Sequence, residues 1–396
     1  MPKEGEDFAG GRLRVAVEAT ALLGVPTGVG RFCQLVLPAL ASRLDLAVSA
    51  FAVSWRRRNL LGERLPAALS FGQRAMPARP LQAAWSRSSW PPVEWFVGQT
   101  DVVHGTNFVV PPARRAARVV TVHDLTTVRF PELCDRSTLA FPALVRRAIA
   151  QGAWVHTPSQ AVADEVVAEM GADPSRVRAV HHGLPPAVVP SPGPVGRVLA
   201  LPRGTERYVL GVGTIEPRKD FPGLVRAFDR VADEEADLAL VIAGPDGWGT
   251  ADLAAALATC RHADRVVRTG WLDDADLALV LAGATILAYP SRYEGFGFPP
   301  LEAMAAGVPV VATAVPAVAE VVGDGALLVP PGDPDALAHA LAQTARGRQR
   351  SALVERGRRR AALFTWEACA AGLDALYHDA WAEWSGSRRR SSAARP

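Results

Sequence analysis

Residues 284–313 read ATILAYPSRYEGFGFPPLEAMAAGVPVVAT and indicate how the chain folds. The apolar run at the start of this stretch stops at a proline, which predicts a buried strand. Pro299 and Pro300 suit the first turn of a helix, and Gly307 suits its end. A second apolar run follows at once. The stretch therefore predicts a strand, a loop, a helix and another strand, the unit from which parallel α/β sheets are built.

Two carboxylates flank the predicted helix start, Glu294 in the loop and Glu302 in the first turns. Gly295 and Gly297 allow the backbone to turn tightly and to approach a ligand. N–H groups at a helix start can face phosphate or sugar oxygens, and each carboxylate can accept hydrogen bonds from neighbouring hydroxyls. We interpret the pattern as a site for a sugar attached to a nucleotide diphosphate. The alternative is an ordinary turn with surface acids.

This stretch resembles the E-x7-E signature of retaining GT-B glycosyltransferases, in the large family 4 (glycosyltransferase group 1) that uses nucleotide-activated sugars. The matching residues are Ser291, Glu294, Gly295, Phe296, Gly297, Pro300, Leu301, Glu302, Ala303, Gly307, Pro309 and Val310. The resemblance implies an α/β GT-B fold of two Rossmann-like domains whose parallel sheets face a central cleft. It assigns Glu294 to hydroxyls of the donor sugar and Glu302 to the ribose hydroxyls. It also assigns backbone contacts with the sugar donor to Gly295, Phe296 and Gly297.

Length and composition are those of a globular protein with two domains. The chain has 396 residues, of which 49% are hydrophobic and 21% charged, and its formal net charge is +3. This length predicts two domains, and so small a charge does not favour nucleic acid as a partner. The four cysteines are scattered without a CxxC or His–Cys cluster, which argues against a zinc site and favours a reducing compartment.

The hydropathy pattern does not predict a membrane segment. Residues 1–11 are polar and acidic, so we expect no secretory signal. The longest apolar stretch, residues 277–289, is too short to span a bilayer. We therefore expect a cytoplasmic protein, and peripheral contact with the inner face of the membrane stays open.

A change in composition divides the chain. Proline and glycine concentrate in residues 185–205, which we interpret as a hinge. It would separate an N-terminal acceptor-side domain, residues 1–184, from a C-terminal nucleotide-sugar-binding domain, residues 206–365. Residues 366–384 predict a helix of the kind that GT-B enzymes commonly return to the first domain. The Ser- and Arg-rich residues 385–396 are predicted to be disordered.

The first predicted strand leads into a glycine-containing loop with Gly28 and Gly30, and a helix follows. A strand, glycine loop and helix can present backbone N–H groups to phosphate. The glycine spacing is not a full GxGxxG, so the sequence does not match the dinucleotide-binding motif. In the resembled family the corresponding loop approaches the donor diphosphate, and the alternative is a tight turn.

Histidines end two further predicted strands, at His104 and His123. Loops after the carboxyl ends of parallel strands build the ligand crevice of an open α/β sheet. A single histidine in such a place is more often structural. The phrase Val122-His123-Asp124-Leu125 resembles the acceptor-side loop of the family, which implies that His123 lies near the donor sugar. We place His104, Asn107 and Asp124 on the acceptor side.

Residues 54–95 are predicted to be irregular and are rich in arginine and tryptophan. The residues concerned are Arg56, Arg57, Arg58, Arg64, Arg74, Arg79, Arg87, Trp85, Trp90 and Trp95. Interfacial tryptophans with arginines can bind anionic lipid, or they can bind a sugar acceptor or its phosphate. A solvated basic face with tryptophans in the core is at least as good an interpretation.

In the C-terminal half, Arg218 and Lys219 stand where a strand passes into a helix. Cations there, with helix N–H groups, would neutralise a diphosphate. The string resembles a family signature whose lysine contacts the diphosphate. Many members carry an arginine at the position of Thr214, and we expect Arg218 to substitute for it. The resemblance also places Trp271 and Leu272 against the nucleobase.

Asp273 and Asp276 fit the start of a helix as caps rather than as a metal-binding DxD pair. No other paired-acid site is evident in the sequence. We therefore expect no metal and no cofactor beyond the nucleotide-sugar donor.

The expected function is a retaining hexosyl transfer from a nucleotide-diphosphate sugar, by front-face attack, to a hydroxyl of a glycan, lipid-linked or small-molecule acceptor. Lys219 and Arg218 would stabilise the leaving diphosphate. The resemblance to bacterial mannosyltransferases of surface polysaccharide assembly suggests GDP-mannose as donor. The alternatives are a GT-B sugar-nucleotide epimerase or phosphorylase, or a non-catalytic carbohydrate-binding protein.

Overall fold

The computed structural model describes residues 11–24, 28–67, 69–72, 74–134, 138–187, 194–347 and 350–393. The chain divides into two units. Unit 1 comprises the chain up to Gly183 together with the chain from Thr365 onward, and unit 2 is Leu184–Phe364. Residues 188–193 of the predicted hinge lie outside the described residues. The hinge segment continues within unit 2, where Leu199 is buried in the core.

Unit 1 is built on a parallel sheet of seven strands in the order β3-β2-β1-β4-β5-β6-β7. The strands of unit 1 are β1 (Leu13–Glu18), β2 (Leu46–Phe51), β3 (Ser70–Phe71), β4 (Val102–Gly105), β5 (Ala117–Thr121), β6 (Trp154–Thr157) and β7 (Val177–Ala179). Unit 2 is built on a parallel sheet of six strands in the order β10-β9-β8-β11-β12-β13. The strands of unit 2 are β8 (Arg207–Val212), β9 (Leu238–Ala243), β10 (Val266–Gly270), β11 (Ile286–Tyr289), β12 (Val310–Thr313) and β13 (Leu327–Val329).

Helices connect most of the parallel strands, as crossovers between parallel neighbours commonly do, although β4 passes to β5 without one. The helices are α1 (Gly28–Ala41), α2 (Leu61–Arg64), α3 (Ala78–Arg87), α4 (Glu94–Val97), α5 (Thr126–Arg129), α6 (Phe141–Ala150), α7 (Gln160–Met170), α8 (Phe221–Val231), α9 (Thr250–Thr259), α10 (Asp274–Ala282), α11 (Phe298–Ala306), α12 (Pro316–Val322), α13 (Pro334–Ala345), α14 (Arg350–Ala361) and α15 (Trp366–Ala393). Every residue of β4, β9, β11 and β12 is buried. Such complete burial is typical of parallel sheets, which are covered on both faces, and β9 and β11 are accordingly continuous apolar runs.

Both sheets reverse the direction of strand addition at one place. In unit 1 the chain adds β2 and β3 on one side of β1 and then places β4 on the other side. Unit 2 repeats the pattern, with β9 and β10 on one side of β8 and β11 on the other. Loops that leave the carboxyl ends of strands at such a switch point splay apart and form a crevice. The fold therefore predicts one crevice after β1 and β4 and another after β8 and β11.

The stretch 284–313 folds as predicted. Strand β11 precedes α11, which has its prolines in the first turn, and β12 follows. Gly307 ends α11 in the left-handed conformation, with φ of 78°. This backbone conformation favours glycine, because other residues rarely adopt it.

Two sequence expectations are corrected. Residues 54–95 are not irregular, since their described part contains α2, β3, α3 and the start of α4. The tail expected to be disordered from Ser385 continues α15 as far as Ala393, and residues 394–396 lie outside the described residues.

Across the part of the chain that the structure describes, none of the helices combines the length and the apolar character of a membrane-spanning segment.

Candidate active site

The switch point of unit 2 brings together the loop after β8 and the loop after β11. The backbone N–H of Arg292 donates to the carbonyl of Arg218 at 2.7 Å, which ties one loop to the other. Gly244, in the loop after β9, closes the packing from the other side, since a β-carbon there would lie 2.1 Å from the carbonyl oxygen of Gly213. The three loops therefore form one tightly packed frame at the carboxyl ends of the strands.

Charged side chains predicted from distant parts of the sequence meet in this frame. Glu294 receives both cations: Lys219 Nζ lies 2.5 Å from its Oε1, and a guanidinium nitrogen of Arg218 lies 2.7 Å from its Oε2. Arg218 also pairs with Glu216 at 3.0 Å. The side chains of Lys219 and Glu294 are only 11% and 10% exposed. The site thus holds two positive charges at fixed positions between two carboxylates.

The protonation states follow from burial and from the charges. Burial alone would raise the pKa of Glu294, but the charges of Lys219 and Arg218 outweigh it and hold this pKa at about 2. Burial lowers the pKa of Lys219, and the neighbouring Arg218 lowers it further, against the attraction of Glu294. Glu294 is therefore ionised throughout the physiological range.

Tyr289, at the end of β11, is a site residue that the sequence did not single out. Its hydroxyl accepts a hydrogen bond from Lys219 Nζ at 3.2 Å, and the ammonium group lies 5.0 Å from the centre of its ring. Burial raises the pKa of Tyr289 well above its usual value, so the hydroxyl stays protonated. The ring and hydroxyl hold the lysine head in place. The sequence signal that could have identified Tyr289 is a tyrosine at the end of a predicted strand.

The start of α8 does not match the expectation that its N–H groups face a ligand. Asp220 adopts a left-handed conformation, with φ of 48°, and its carboxylate accepts a hydrogen bond from the N–H of Gly223. Arg292 pairs with the same carboxylate at 3.2 Å. Pro222 has no N–H group to offer. The cations, rather than this helix start, therefore carry the positive charge of the site.

The start of α11 also offers fewer backbone N–H groups to a ligand than the sequence suggested. Pro299 and Pro300 occupy the first turn and have no N–H groups. Backbone donors here come from the loop before them, where Gly297 has φ of 156° and caps the helix. Gly295 and Phe296 are buried in that loop. Glu302 lies half-buried on α11.

The remaining residues of unit 2 that were predicted to bind the sugar donor differ in burial and contacts. Thr214 is half-buried in the loop after β8, and its methyl group would lie 3.0 Å from a β-carbon at Gly247. Trp271 is 70% exposed, and Leu272 packs against the core. Asp273 caps α10 through the N–H of Asp276, as predicted.

In unit 1, His123 lies half-buried after β5. Its Nε2 lies 2.8 Å from the carbonyl oxygen of Thr106. A carbonyl only accepts, so Nε2 carries the proton. Burial lowers the pKa of His123, which keeps the ring neutral. Its Nδ1 is then a hydrogen-bond acceptor, suited to a hydroxyl.

The acceptor-side role predicted for His104 is corrected. The side chain is completely buried, with Nδ1 at 2.7 Å from the hydroxyl of Tyr377 and Nε2 at 2.7 Å from that of Thr121. Both ring nitrogens are thus engaged inside unit 1. His104 has a structural role, and the partner that decides this lies on α15.

His104 belongs to a buried histidine network of Tyr377, His104, Thr121 and His156. His156 bonds Thr121 through Nδ1 at 2.9 Å and the carbonyl of Val180 through Nε2 at 3.1 Å. The carbonyl requires a proton on Nε2, so Thr121 donates to Nδ1. Thr121 must then accept from Nε2 of His104, which leaves Nδ1 of His104 to accept from Tyr377. Burial lowers the pKa of His156 to about 3, in keeping with this neutral arrangement.

Glu18, at the end of β1, is a second residue that the sequence did not single out. Its carboxylate accepts from the N–H of Thr20 at 2.8 Å, and the hydroxyl of Thr106 donates to its backbone carbonyl at 2.7 Å. Burial raises the pKa of Glu18. The residue joins the loops after β1 and β4, at the switch point of unit 1.

The other predicted residues of unit 1 lie at the same edge of its sheet. Gly28 opens α1, and Gly30 is buried in its first turn; residues 25–27 before them lie outside the described residues. Asn107 is half-buried after β4. Asp124 accepts a hydrogen bond from the N–H of Thr126 at 2.8 Å and so shapes the turn after β5.

Comparison with known proteins gives consistent matches to both halves of the chain. The model of glycosyl transferases group 1 matches residues 200–360, and that of glycosyltransferase family 4 matches residues 26–188. The chain is 31% identical to O-antigen chain mannosyltransferase B of Escherichia coli over 279 residues, which cover 68% of this chain and 71% of that protein.

Two solved structures share the fold. Sucrose-phosphate synthase from Thermosynechococcus elongatus matches with a TM-score of 0.70 at 21% identity, over 94% of this chain and 100% of that one. Anabaena HepE in complex with UDP-glucose matches with a TM-score of 0.67 at 16% identity, over 95% and 100% of the two chains. The chain therefore has the GT-B fold and belongs to the glycosyltransferases of group 1, family 4.

Proposed function

We propose that this glycosyltransferase moves a hexose, mannose, from a nucleotide-diphosphate sugar to an acceptor hydroxyl with retention at the anomeric carbon. The observation that carries the proposal is the cluster of Lys219, Arg218 and Glu294 at the switch point of unit 2. A departing diphosphate gains negative charge in the transition state, and cations already held in position stabilise that charge. The named activity of the Escherichia coli relative supports mannose, and hence GDP-mannose as donor.

In this proposal the residues of unit 2 divide the donor between them. Lys219 and Arg218 contact the diphosphate. Glu294 fixes both cations and accepts hydrogen bonds from hydroxyls of the donor sugar. Glu302 holds the ribose hydroxyls, and the exposed Trp271 lies beside the base.

The proposed transfer is a front-face displacement. The bond from the anomeric carbon to the phosphate oxygen breaks, and the bond to the acceptor oxygen forms on the same face. The proton of the acceptor hydroxyl passes to the departing phosphate oxygen. The acceptor oxygen attacks the anomeric carbon directly, so the transfer needs no enzymatic nucleophile. Lys219 and Arg218 compensate the charge of the leaving group, so it needs no metal ion. His123 would accept a hydrogen bond from a sugar hydroxyl through Nδ1.

The acceptor is proposed only by class, as a hydroxyl of a glycan, a lipid-linked sugar or a small molecule. The mannose acceptor of an O-antigen chain is the first to try, because the Escherichia coli relative is an O-antigen chain mannosyltransferase.

The test begins with a thermal-shift screen of nucleotide sugars, because a ligand bound only by the folded state raises its melting temperature. GDP-mannose is expected to give the largest shift, and UDP-glucose is the matched comparison. The best donor is then incubated with mannosides, and the anomeric configuration of the product is read by NMR. An α-linked product from an α-linked donor supports the proposal. A β-linked product, or an epimerised or phosphorolysed sugar formed without acceptor, contradicts it.

A further inference from the structure

The amino ends of the unit 1 strands carry an arginine- and tryptophan-rich groove. Arg14, at the start of β1, pairs with Asp101, directly before β4, at 2.6 Å. Arg114 and Arg115 stand just before β5. The groove enclosed here has a volume of about 760 Å³ and is also lined by Trp95. It lies at the edge of the sheet opposite to the switch-point loops, and the candidate site does not use it.

The last helix brings further residues to the same edge. Tyr377 of α15 contacts β4 through His104, and Glu383 pairs with Arg176, directly before β7. The helix thus runs from the carboxyl ends toward the amino ends of the strands. The turns after Glu383 continue past the edge for about 15 Å at the usual helical rise.

Aromatic rings cluster beside the groove. Trp90 and Trp95 contact each other edge to face at 5.5 Å and are 60% and 53% exposed. Trp381 and Trp384 stack at 5.1 Å on the projecting helix. Trp381 and Trp384 are half-buried, and together with the exposed Trp90 and Trp95 they form an aromatic patch of the kind that marks interaction sites.

Positive charge accompanies the rings. Among the described residues that line the groove are four arginines and two carboxylates, and one arginine and one carboxylate, Arg14 and Asp101, neutralise each other. Arg388 lies 4.7 Å from the ring centre of Trp384, and two more arginines follow it on exposed positions of α15. We define the amino-edge surface by Trp90, Trp95, Arg114, Arg115, Trp381, Trp384 and residues 388–390.

We propose that the amino-edge surface docks unit 1 on an anionic lipid bilayer. The tryptophans would enter the headgroup region, where an aromatic ring with one polar edge is most stable. The arginines would contact lipid phosphates and gain from the negative surface potential. A bilayer fits better than nucleic acid because the chain as a whole carries a net charge of only +3. The bound orientation leaves the switch-point loops of unit 1 directed away from the bilayer.

The test is co-sedimentation of the full chain with phosphatidylcholine vesicles that contain or lack phosphatidylglycerol. We expect binding only to the anionic vesicles and release at high salt, since the attraction is screened within a Debye length. The triple variant R388Q, R389Q and R390Q should bind roughly a hundredfold more weakly, at the usual gain per arginine. The double variant W90A and W95A should bind at least tenfold more weakly.

The matched control is Trp55→Ala, which removes a 61% exposed tryptophan after β2, at the opposite edge of the sheet. Its vesicle binding should equal that of the wild type, and circular dichroism should be unchanged in all variants because the altered side chains lie at the surface. The proposal is overturned if anionic vesicles do not bind the chain, or if both variants bind them as well as the control does. Binding of single-stranded RNA without binding of vesicles overturns it as well.

Discussion

The two sheets share one order of strands but present different chemistry at their switch points. After β8 and β11, unit 2 places the ion cluster of Lys219, Arg218 and Glu294. After β1 and β4, unit 1 places a buried carboxyl group, Glu18, and the neutral ring of His123 lies after the neighbouring β5. The same topology thus supports an ion cluster in one unit and, in the other, a neutral imidazole ring beside hydrogen-bonded groups.

The difference shows which level of structure decides the chemistry. Strand order fixes where loops can diverge, and the side chains on those loops determine what can bind there. Charges that are held ready in unit 2 suit a diphosphate. Neutral rings and hydroxyl groups in unit 1 suit sugar hydroxyls, which carry no charge.

The largest effect is expected from Glu294→Gln. The variant removes the charge that fixes both cations of unit 2, so Lys219 and Arg218 lose their positions. We expect the rate of sugar transfer to fall by about 10² to 10³, in the range seen when one stabilising group is lost. Glu216→Gln is the matched control, since Glu216 pairs only with Arg218 among the cations of the cluster, and it should cost about tenfold. Equal rates for the two variants would contradict the central place given to Glu294.

An intermediate effect is expected from pH, and it should separate the two units. The pKa of His156 is about 3 in the folded chain and 6.5 as its ordinary value. The unfolded chain therefore binds more protons between these values, and stability present above pH 6.5 is lost as pH falls toward 3. At pH 5 the protonation of this residue in the unfolded chain should lower the free energy of unfolding by about 2 kcal/mol. Glu294, with a pKa lowered to about 2, keeps its contribution until pH falls below about 4.5.

Hydrogen exchange at pH 7 and pH 5, corrected for the intrinsic rates, measures this difference. Amides of β4 to β6 should lose protection at pH 5, while those of β8 and β11 should keep theirs. In His156→Leu the loss between the two pH values should shrink. Equal losses in both sheets would show that the neutral histidines do not distinguish unit 1.

The smallest effect is expected from Thr121→Val in the buried histidine network. The substitution keeps the shape but leaves a ring nitrogen of His104 and one of His156 without their partner. A loss of about 1 to 3 kcal/mol in the free energy of unfolding is expected from denaturant titration. Thr121→Ser retains the hydroxyl and should lose less than half as much. Equal losses would mean that packing, not the proton order, stabilises this network.

The sequence pointed to the members of the ion cluster one by one, because they adjoin glycines and prolines at strand ends and resemble family motifs. Lys219, Arg218 and Glu294 were each singled out from such local patterns, and the α/β fold with two parallel sheets is confirmed. Their mutual contact could not be read from the sequence, since about 75 residues separate the partners. Only the pairing of β8 with β11 brings them together.

His104 was misplaced for a physical reason of the same kind. Its position at a strand end is local information, but its burial depends on Tyr377, which is 273 residues away. The Ser- and Arg-rich tail was also misjudged, because composition alone suggested disorder where the helix α15 continues. Local patterns predicted elements and charges, and they failed where a distant segment covers or extends them.

The central claim is that Lys219 binds the diphosphate of a nucleotide sugar, and isothermal titration of the full chain with GDP and UDP tests it most directly. Lys219→Met should weaken binding of the preferred diphosphate about a hundredfold, because a buried charge-assisted contact is lost. Binding of the corresponding nucleoside should not change. Arg226→Met, which alters an exposed cation on α8, the helix that follows Lys219, should bind like the wild type. Undiminished binding of GDP and UDP by Lys219→Met would contradict the account.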